Sequence, residues 1–305
     1  MSEEVKMNST APEVKSILVV SAHNTDWIWR CSGTVARYKK LGAAVHVVCL
    51  SAGVRGESNK LLKEDPTLTP KAIKALRVKE AVDAGAALGC DSVQVWDYDD
   101  CMLECSKEIV NQLAARMREV RPEIVITHDR LDSRNCDHET AAEIVWRASL
   151  IATQRGIDLN GLKPCAGRML IFGFEPGQTE SSDYKPNIYI DITDVWEEKT
   201  AAMKCVITMK GTPDTHIRVN THRGWQGKNN GLRKNIKYCE SFSAYWPMVS
   251  DRFPVYICVI LDRGTGGQSA VPPVLLEFAP ARCQCRDMLG GTNDYGCWKK
   301  SVYPA

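Results

Sequence analysis

The sequence predicts an α/β protein: a Rossmann-like, doubly wound, mostly parallel sheet with a C-terminal extension. Three observations carry this. Short apolar, β-branched runs recur, as in Ile17-Leu18-Val19-Val20 and again at 45–50 and 124–127, and such runs read as buried strands. They alternate with helical stretches of about 12 to 18 residues, the rhythm of βαβ units. Helix punctuation lies between them: Thr69-Pro70 and Ser106 before helices, Gly42 and Gly89 after them, where caps and stops are expected.

Each element follows in order. Residues 1–15 are polar and mixed in charge and are expected as a flexible N-terminal tail. Residues 16–262 are expected as one α/β domain. Its first strand is 16–22, its first helix 27–40, its second strand 45–50. A long loop, 51–69, carries Gly53, Arg55, Gly56 and Glu57. A helix over 70–88 has Thr69 as its cap, and strand three is 92–96. Ser106 caps a helix to residue 120, and Pro122 follows it. Strand four is 124–127, and a polar loop leads into a helix over 139–153. Further strands are expected at 168–174 and 188–192, with Asp194 capping a helix to 209. Beyond residue 210 the alternation fades. Residues 216–231 read as loop, 232–245 as a helix and 255–261 as a last strand. Residues 263–305, rich in Gly and Pro, form the extension.

Composition narrows the function classes. The chain has 305 residues, 44% hydrophobic and 25% charged, with a formal net charge of +2. A near-neutral balance gives no case for nucleic acid or a membrane surface. No apolar run approaches the ~20 residues of a membrane span, and the N-terminus has no signal-peptide core. The thirteen cysteines are scattered, with Cys49, Cys205 and Cys258 in apolar stretches read as strands. Reduced thiols in a cytoplasm are the better reading. Cys283-Gln284-Cys285 with Cys297 lacks the spacing of a structural zinc site.

The stretch that organises the chain is Ser21-Ala22-His23-Asn24-Thr25-Asp26-Trp27. It is the turn from the first strand to the first helix, at the sheet edge where α/β proteins bind ligands. An imidazole and a carboxylate three residues apart make half of a metal site, or simply a turn cap. Asp137-His138, after strand four, offers the other half or a helix start. At the switch point between strands one and four the halves can meet. Two imidazoles and a carboxylate would leave a coordination position open, as catalytic zinc requires, with Asp137 or Asp132 holding an imidazole from behind.

These residues carry a family resemblance. Ala22-His23-Asn24-Thr25-Asp26-Trp27, followed by Ser32-Gly33-Thr34-Val35-Ala36, resembles the Ala-His-Pro-Asp-Asp-Glu motif and helix of the PIG-L, or LmbE-like, deacetylase superfamily. Asn135-Cys136-Asp137-His138 resembles its His-Pro-Asp-His motif. The resemblance implies metal ligation by His23, Asp26 and His138, with Zn2+ as the ion and other divalent transition metals compatible. Two departures stand out. Thr25 replaces the family's general base, and Asn135 replaces a histidine that helps stabilise the oxyanion.

One branch fits those losses. The run from Val19 to Arg30 and the loop Arg55-Gly56-Glu57-Ser58 resemble the 4-oxalomesaconate (4-carboxy-2-hydroxymuconate) hydratases of gallate and protocatechuate breakdown. That implies a role for Glu57 in positioning and activating water; Asp137, beside His138, is expected as a second catalytic residue. Phe174-Glu175-Pro176-Gly177-Gln178 matches a segment of that branch, but Gly177 stands where its proton-donating histidine is expected.

Hydration of a double bond conjugated to a carbonyl needs a nucleophilic water, stabilisation of the enolate, and a proton for the second carbon. The expected function is a zinc-dependent hydro-lyase acting on an unsaturated oxo-carboxylate. A zinc-dependent N-acyl hydrolase and a non-catalytic binding protein are the alternatives. The expected partner is a small polyanionic di- or tricarboxylate, and a homo-oligomer is expected. Substrate contacts are expected from Arg30, Arg55, Asn135, Gln178 and His222. From Thr215 to Cys239 there is no acidic residue but Arg218, Arg223, Lys228, Arg233, Lys234 and Lys237 are present, so a polyanion under this stretch or a solvated basic face both fit. His216 and His222 are candidates for the missing acid. His46 reads as structural, and His128 as a residue that lines the pocket.

Overall fold

A computed structural model describes residues 14–209, 212–230 and 235–247. Strand β1 (Ser16–Ser21) leads into helix α1 (Asp26–Lys40), then β2 (Ala44–Cys49), α2 (Asn59–Glu64), α3 (Pro70–Leu88), β3 (Ser92–Val95), α4 (Lys107–Val120), β4 (Ile124–His128) and α5 (Cys136–Thr153). The chain continues through β5 (Leu170–Phe174), β6 (Ile188–Asp191), a 3-10 turn (Thr193–Val195), α6 (Trp196–Lys204), α7 (Thr212–Asn230) and β7 (Cys239–Ala244).

The sheet runs β3-β2-β1-β4-β5-β7-β6. All pairs among β1 to β5 are parallel, and β7 lies antiparallel between β5 and β6. Successive side chains of β1 face opposite sides. Ile17 and Val19 join Trp27, Ile28, Val35, Ala84, Leu88 and Met203, from α1, α3 and α6. Leu18 and Val20 join Ile109, Leu113, Ile144 and Val145, from α4 and α5. Two helical layers on one sheet are the doubly wound arrangement expected, and the β1–β4 neighbours are its switch point.

Local chemistry sets the boundaries. The Thr69 hydroxyl accepts from the Ala72 amide and Gly89 closes α3 in the left-handed region; the Ser106 hydroxyl accepts from the Ile109 amide to start α4. In the long loop the structure adds one short helix, α2. The helix to 209 ends instead at Lys204, and Cys205 follows it rather than sitting in a strand.

Two readings beyond residue 210 are corrected. Residues 216–231, expected as loop, belong mostly to α7, and 232–245, expected as helix, contain β7. Gly224 and Gly227 are contact points within α7. A Cβ on Gly224 would collide with the Lys237 carbonyl, and one on Gly227 would lie 2.9 Å from Cys239 Sγ. The glycines let α7 lie directly on the chain entering β7. The strand expected at 255–261, the boundary at 262/263, the N-terminal residues 1–13 and the Cys283–Cys297 group lie outside the described residues. The nine cysteines among the described residues are all free thiols. Among the described residues no helix is long and apolar enough to cross a membrane.

Candidate metal centre

β1 and β4 deliver the site side by side. His23 follows β1, and Asp26 opens α1, where a carboxylate is favoured by the helix dipole. His128 ends β4, and Asp137 and His138 sit in the first turn of α5. One ligand atom each from His23, Asp26 and His138 lies within 4.8 Å of the others, and all three residues are buried. The Asp26 carboxylate is the hub. Its Oδ2 accepts from the His23 amide (2.9 Å) and lies 3.2 Å from His23 Nδ1; its Oδ1 lies 3.4 Å from His138 Nε2.

Each imidazole is gripped from behind. Asp132 Oδ2 lies 2.8 Å from His138 Nδ1, and Asp137 Oδ2 lies 3.2 Å from His23 Nε2. Asp137 is itself fixed by the amides of Leu103 (3.0 Å) and Cys101 (2.5 Å). Cys101 presents that amide from a left-handed backbone (φ 72°), a conformation that costs a non-glycine residue about 1 kcal/mol or more. Such carboxylate partners set which ring nitrogen faces a metal.

The carboxylates set the charge of the two imidazoles. Burial alone would lower the pKa of His23, but Glu57, Asp26 and Asp137 outweigh it and hold it well above the usual value. Burial is likewise outweighed at His138, by Asp26 and Asp132, and its pKa is raised. Burial would raise Asp132 and Asp137; the histidines and backbone amides instead hold both at about 2. His138 Nε2 is buried and makes no hydrogen bond among the described residues. That nitrogen, which meets the Asp26 carboxylate only at 3.4 Å, fits a ligand to a metal. His128 differs. Its Nε2 accepts from the Ala22 amide (2.9 Å) and its ring stacks on His138, with centroids 4.0 Å apart. Burial and then His138 push its pKa down to about 3, so it is a neutral wall of the site.

Glu57 reaches the triad from the loop after β2. Its Oε1 is 3.6 Å from His23 Nδ1, and its Oε2 accepts from Thr25 Oγ1 (3.3 Å) and from Arg77 Nη2. Gly53 (φ 67°) must be glycine here, because a Cβ would lie 2.9 Å from Arg77 Nη2 and 3.0 Å from Glu57 Oε2. Arg77 is fully buried on α3, and sequence reasoning passed over it. A signal existed: Arg77 falls on the stripe Ile73, Ala81, Ala84 and Leu88, where a charge needs a reason.

The residues expected at the substrate are dispersed. Arg30 is half-buried at the site. Its guanidinium donates to the Glu175 carbonyl beside Phe174, and an added Cβ at Gly177 would lie 3.8 Å from it. Arg55 is exposed and pairs with exposed Asp99 (3.1 Å). Asn135 caps α5, its side-chain oxygen accepting from the Asp137 amide (3.0 Å). Gln178 is exposed, and so is His222, which stacks on Trp225. His216 stacks on Trp29 at 5.4 Å. Burial, then Arg30 and Lys199, holds its pKa well below the usual value. His46 pairs with Ser92 between β2 and β3. The basic stretch is no single surface: Arg223 is buried in a bidentate pair with Glu175 (2.7 and 2.8 Å), while Arg218, Lys228 and Lys237 are exposed. Arg233 and Lys234 lie outside the described residues.

Comparison with known proteins identifies the family. The PIG-L family, described as GlcNAc-PI de-N-acetylase, matches residues 18–149. A 4-oxalmesaconate hydratase of Pseudomonas putida is 37% identical over 250 residues, covering 80% of this chain and 94% of the relative. The crystal structure of the 4-carboxy-2-hydroxymuconate hydratase of Pseudomonas putida superposes with a TM-score of 0.73 at 37% identity, covering 78% of this chain and 99% of that one. A diacetylchitobiose deacetylase of Thermococcus kodakarensis is 24% identical over 207 residues, covering 66% of this chain and 72% of the relative. The match to a relative of which the chain spans nearly the whole length, together with the motif-bearing strands and helices of the site, shows that the chain belongs to the PIG-L family.

Proposed function

We propose that the chain is a metal-dependent hydro-lyase of the cytoplasm that adds water to a conjugated unsaturated oxo-carboxylate of the 4-oxalomesaconate type, in the breakdown of aromatic acids. One observation carries this. Beside Asp26, where the deacetylase reaction needs a carboxylate base, stands Thr25, and its hydroxyl is 3.3 Å from Glu57. The carboxylate facing the triad comes from the loop after β2 instead. The similarity to a relative named as a hydratase, at 37% identity, supports the same reading. The deacetylase relative, at 24%, is more distant.

His23, Asp26 and His138 are assigned as metal ligands, with zinc as the ion, because two imidazole nitrogens and a carboxylate oxygen suit it; other divalent transition metals accept the same donors. When bound, such an ion makes water more acidic and stabilises negative charge on a substrate oxygen. Asp132 and Asp137 orient His138 and His23; Asp137 is thus assigned a positioning role rather than a place at the reacting atoms. Arg30 is assigned to a substrate carboxylate, for which its planar fork is suited.

Glu57 Oε1 is assigned to take a proton from the attacking water. The oxygen bonds to the carbon β to the carbonyl, and the double-bond electrons move toward the carbonyl oxygen. The α-carbon then takes a proton as that charge returns. Glu57 carries a proton at this point, so returning it completes the addition of one water without a second acid. This accommodates Gly177, and it accommodates His216, whose depressed pKa leaves it uncharged near neutral pH. Delivery by one carboxylate predicts addition of hydrogen and hydroxyl to the same face.

The test is a paired assay on zinc-loaded protein: loss of conjugated-ketone absorbance with 4-oxalomesaconate, and acetate release from N-acetylated amino sugars. Hydration without acetate release is expected. Acetate release without hydration would place the chain with the deacetylases.

A further inference from the structure

Arg77 and Glu80 are two charges on the buried stripe of α3, 0% and 2% exposed. Burying a guanidinium costs several kcal/mol unless its donors are satisfied. Arg77 spends them on four groups: Nε donates to the Ala52 carbonyl (2.7 Å), Nη1 to Thr208 Oγ1 (3.1 Å), and Nη2 to Glu57 Oε2, with Thr25 Oγ1 at 3.5 Å. Thr208 is clamped in turn. Glu80 Oε2 accepts its hydroxyl proton (2.9 Å), and Glu80 Oε1 accepts the amides of Ile207 (2.8 Å) and Thr208 (2.7 Å). Because the Thr208 proton goes to Glu80, its lone pair faces Arg77. The next residue, Met209, places its sulfur 3.3 Å from Thr25 Oγ1.

Glu57 needs such an anchor. It lies in an irregular loop between exposed Gly56 and the short helix α2, and a glutamate on a loop has several rotamers open to it. We propose that Arg77, locked by the Glu80–Thr208 clamp, is a positioning residue that holds Glu57 Oε2 so that Oε1 faces the metal triad. The segment after α6 thereby becomes part of the active site without touching substrate. This rests on the reading of Glu57 as the group that handles the proton of water.

Arg77→Met would strand the Glu57 carboxylate and can unfold the protein, so Thr208→Val, which keeps the shape and loses the hydroxyl, is the variant to use. Its kcat is expected to fall about tenfold, the size of one hydrogen bond to a charged group, with KM and zinc content unchanged. Thr208→Ser, which restores the hydroxyl, is expected to recover wild-type kcat. In single-turnover measurements the Thr208→Val/Glu57→Gln protein is expected to match Glu57→Gln alone, because the clamp acts only through Glu57. Wild-type kcat in Thr208→Val, or the same fractional loss on top of Glu57→Gln, would overturn the proposal. A crystal structure of Thr208→Val is the second measurement. Displacement of the Glu57 carboxylate from the triad is expected, and an unmoved carboxylate would overturn the proposal even if the wild-type protein adds no water to 4-oxalomesaconate. That last result would remove the proposed function alone.

Discussion

Asp132→Asn isolates the electrostatic part of the proposed metal site. Asp132 is 4% exposed and its Oδ2 lies 2.8 Å from Nδ1 of His138, itself 4% exposed. With its carboxyl held at about 2, Asp132 is ionised at every pH at which the protein is assayed. Asparagine keeps the oxygen and the shape and removes the charge. A hydrogen bond to a charged partner is worth about 1.5–3 kcal/mol and a neutral one about 0.5–1.5. The difference, about 1–1.5 kcal/mol, is close to tenfold in an equilibrium constant, the lower end of what such outer partners contribute to metal affinity. Chelator-competition titration of zinc at pH 7.5 is the assay, with unfolding curves run beside it to show that the fold is intact. The expected result is a zinc Kd about tenfold weaker for Asp132→Asn. An unchanged Kd in a folded variant would refute the assignment of His138 as a ligand oriented by Asp132.

Three further outcomes follow from the packing and the charges. Lys199 and Glu240 are a fully buried pair at 2.6 Å that braces α1 through the Gly33 and Thr34 amides; Lys199→Met should cost about 3–5 kcal/mol in denaturant unfolding, and adding Glu240→Leu should restore part of it. His128 stays neutral in the fold, whereas the unfolded chain protonates it below about pH 6.5. Its contribution is therefore lost as pH falls, by about 2 kcal/mol at pH 5, and His128→Gln should show a shallower acid loss than wild type; parallel stability curves from pH 7 to 5 would contradict this. Gly224→Ala, which drives a methyl into the Lys237 carbonyl, should destabilise by about 1–3 kcal/mol, read as a lower thermal midpoint.

The parallel half of the sheet was legible because strand and helix there differ in period and their ends carry standard caps, Thr69 and Ser106 among them. That His23, Asp26 and His138 meet was legible in part from topology, since the β1 and β4 loops converge at the switch point, and in part only from the resemblance of their motifs to the PIG-L family. What escaped depends on contacts between distant segments. Gly224 and Gly227 punctuate a sequence but join α7 to β7 in three dimensions. The polar β7, with sequence CESFSA, shows no apolar run because Glu240 is neutralised by Lys199 and Ser241 bonds Glu175 (2.7 Å). Asn135 and Arg55 matched motif positions, yet one is used by its own helix end and the other by Asp99. A motif gives the residue, but its contacts decide which partner takes the side chain.

The most direct test is the rate of water addition to 4-oxalomesaconate by zinc-loaded wild type and zinc-loaded Glu57→Gln, compared at matched metal content. Hydration by the wild type and a loss of about 100-fold or more in kcat for Glu57→Gln, within the range for removal of a general base, is the predicted result. Equal rates in the two proteins would contradict the assignment of Glu57 as the group that activates water.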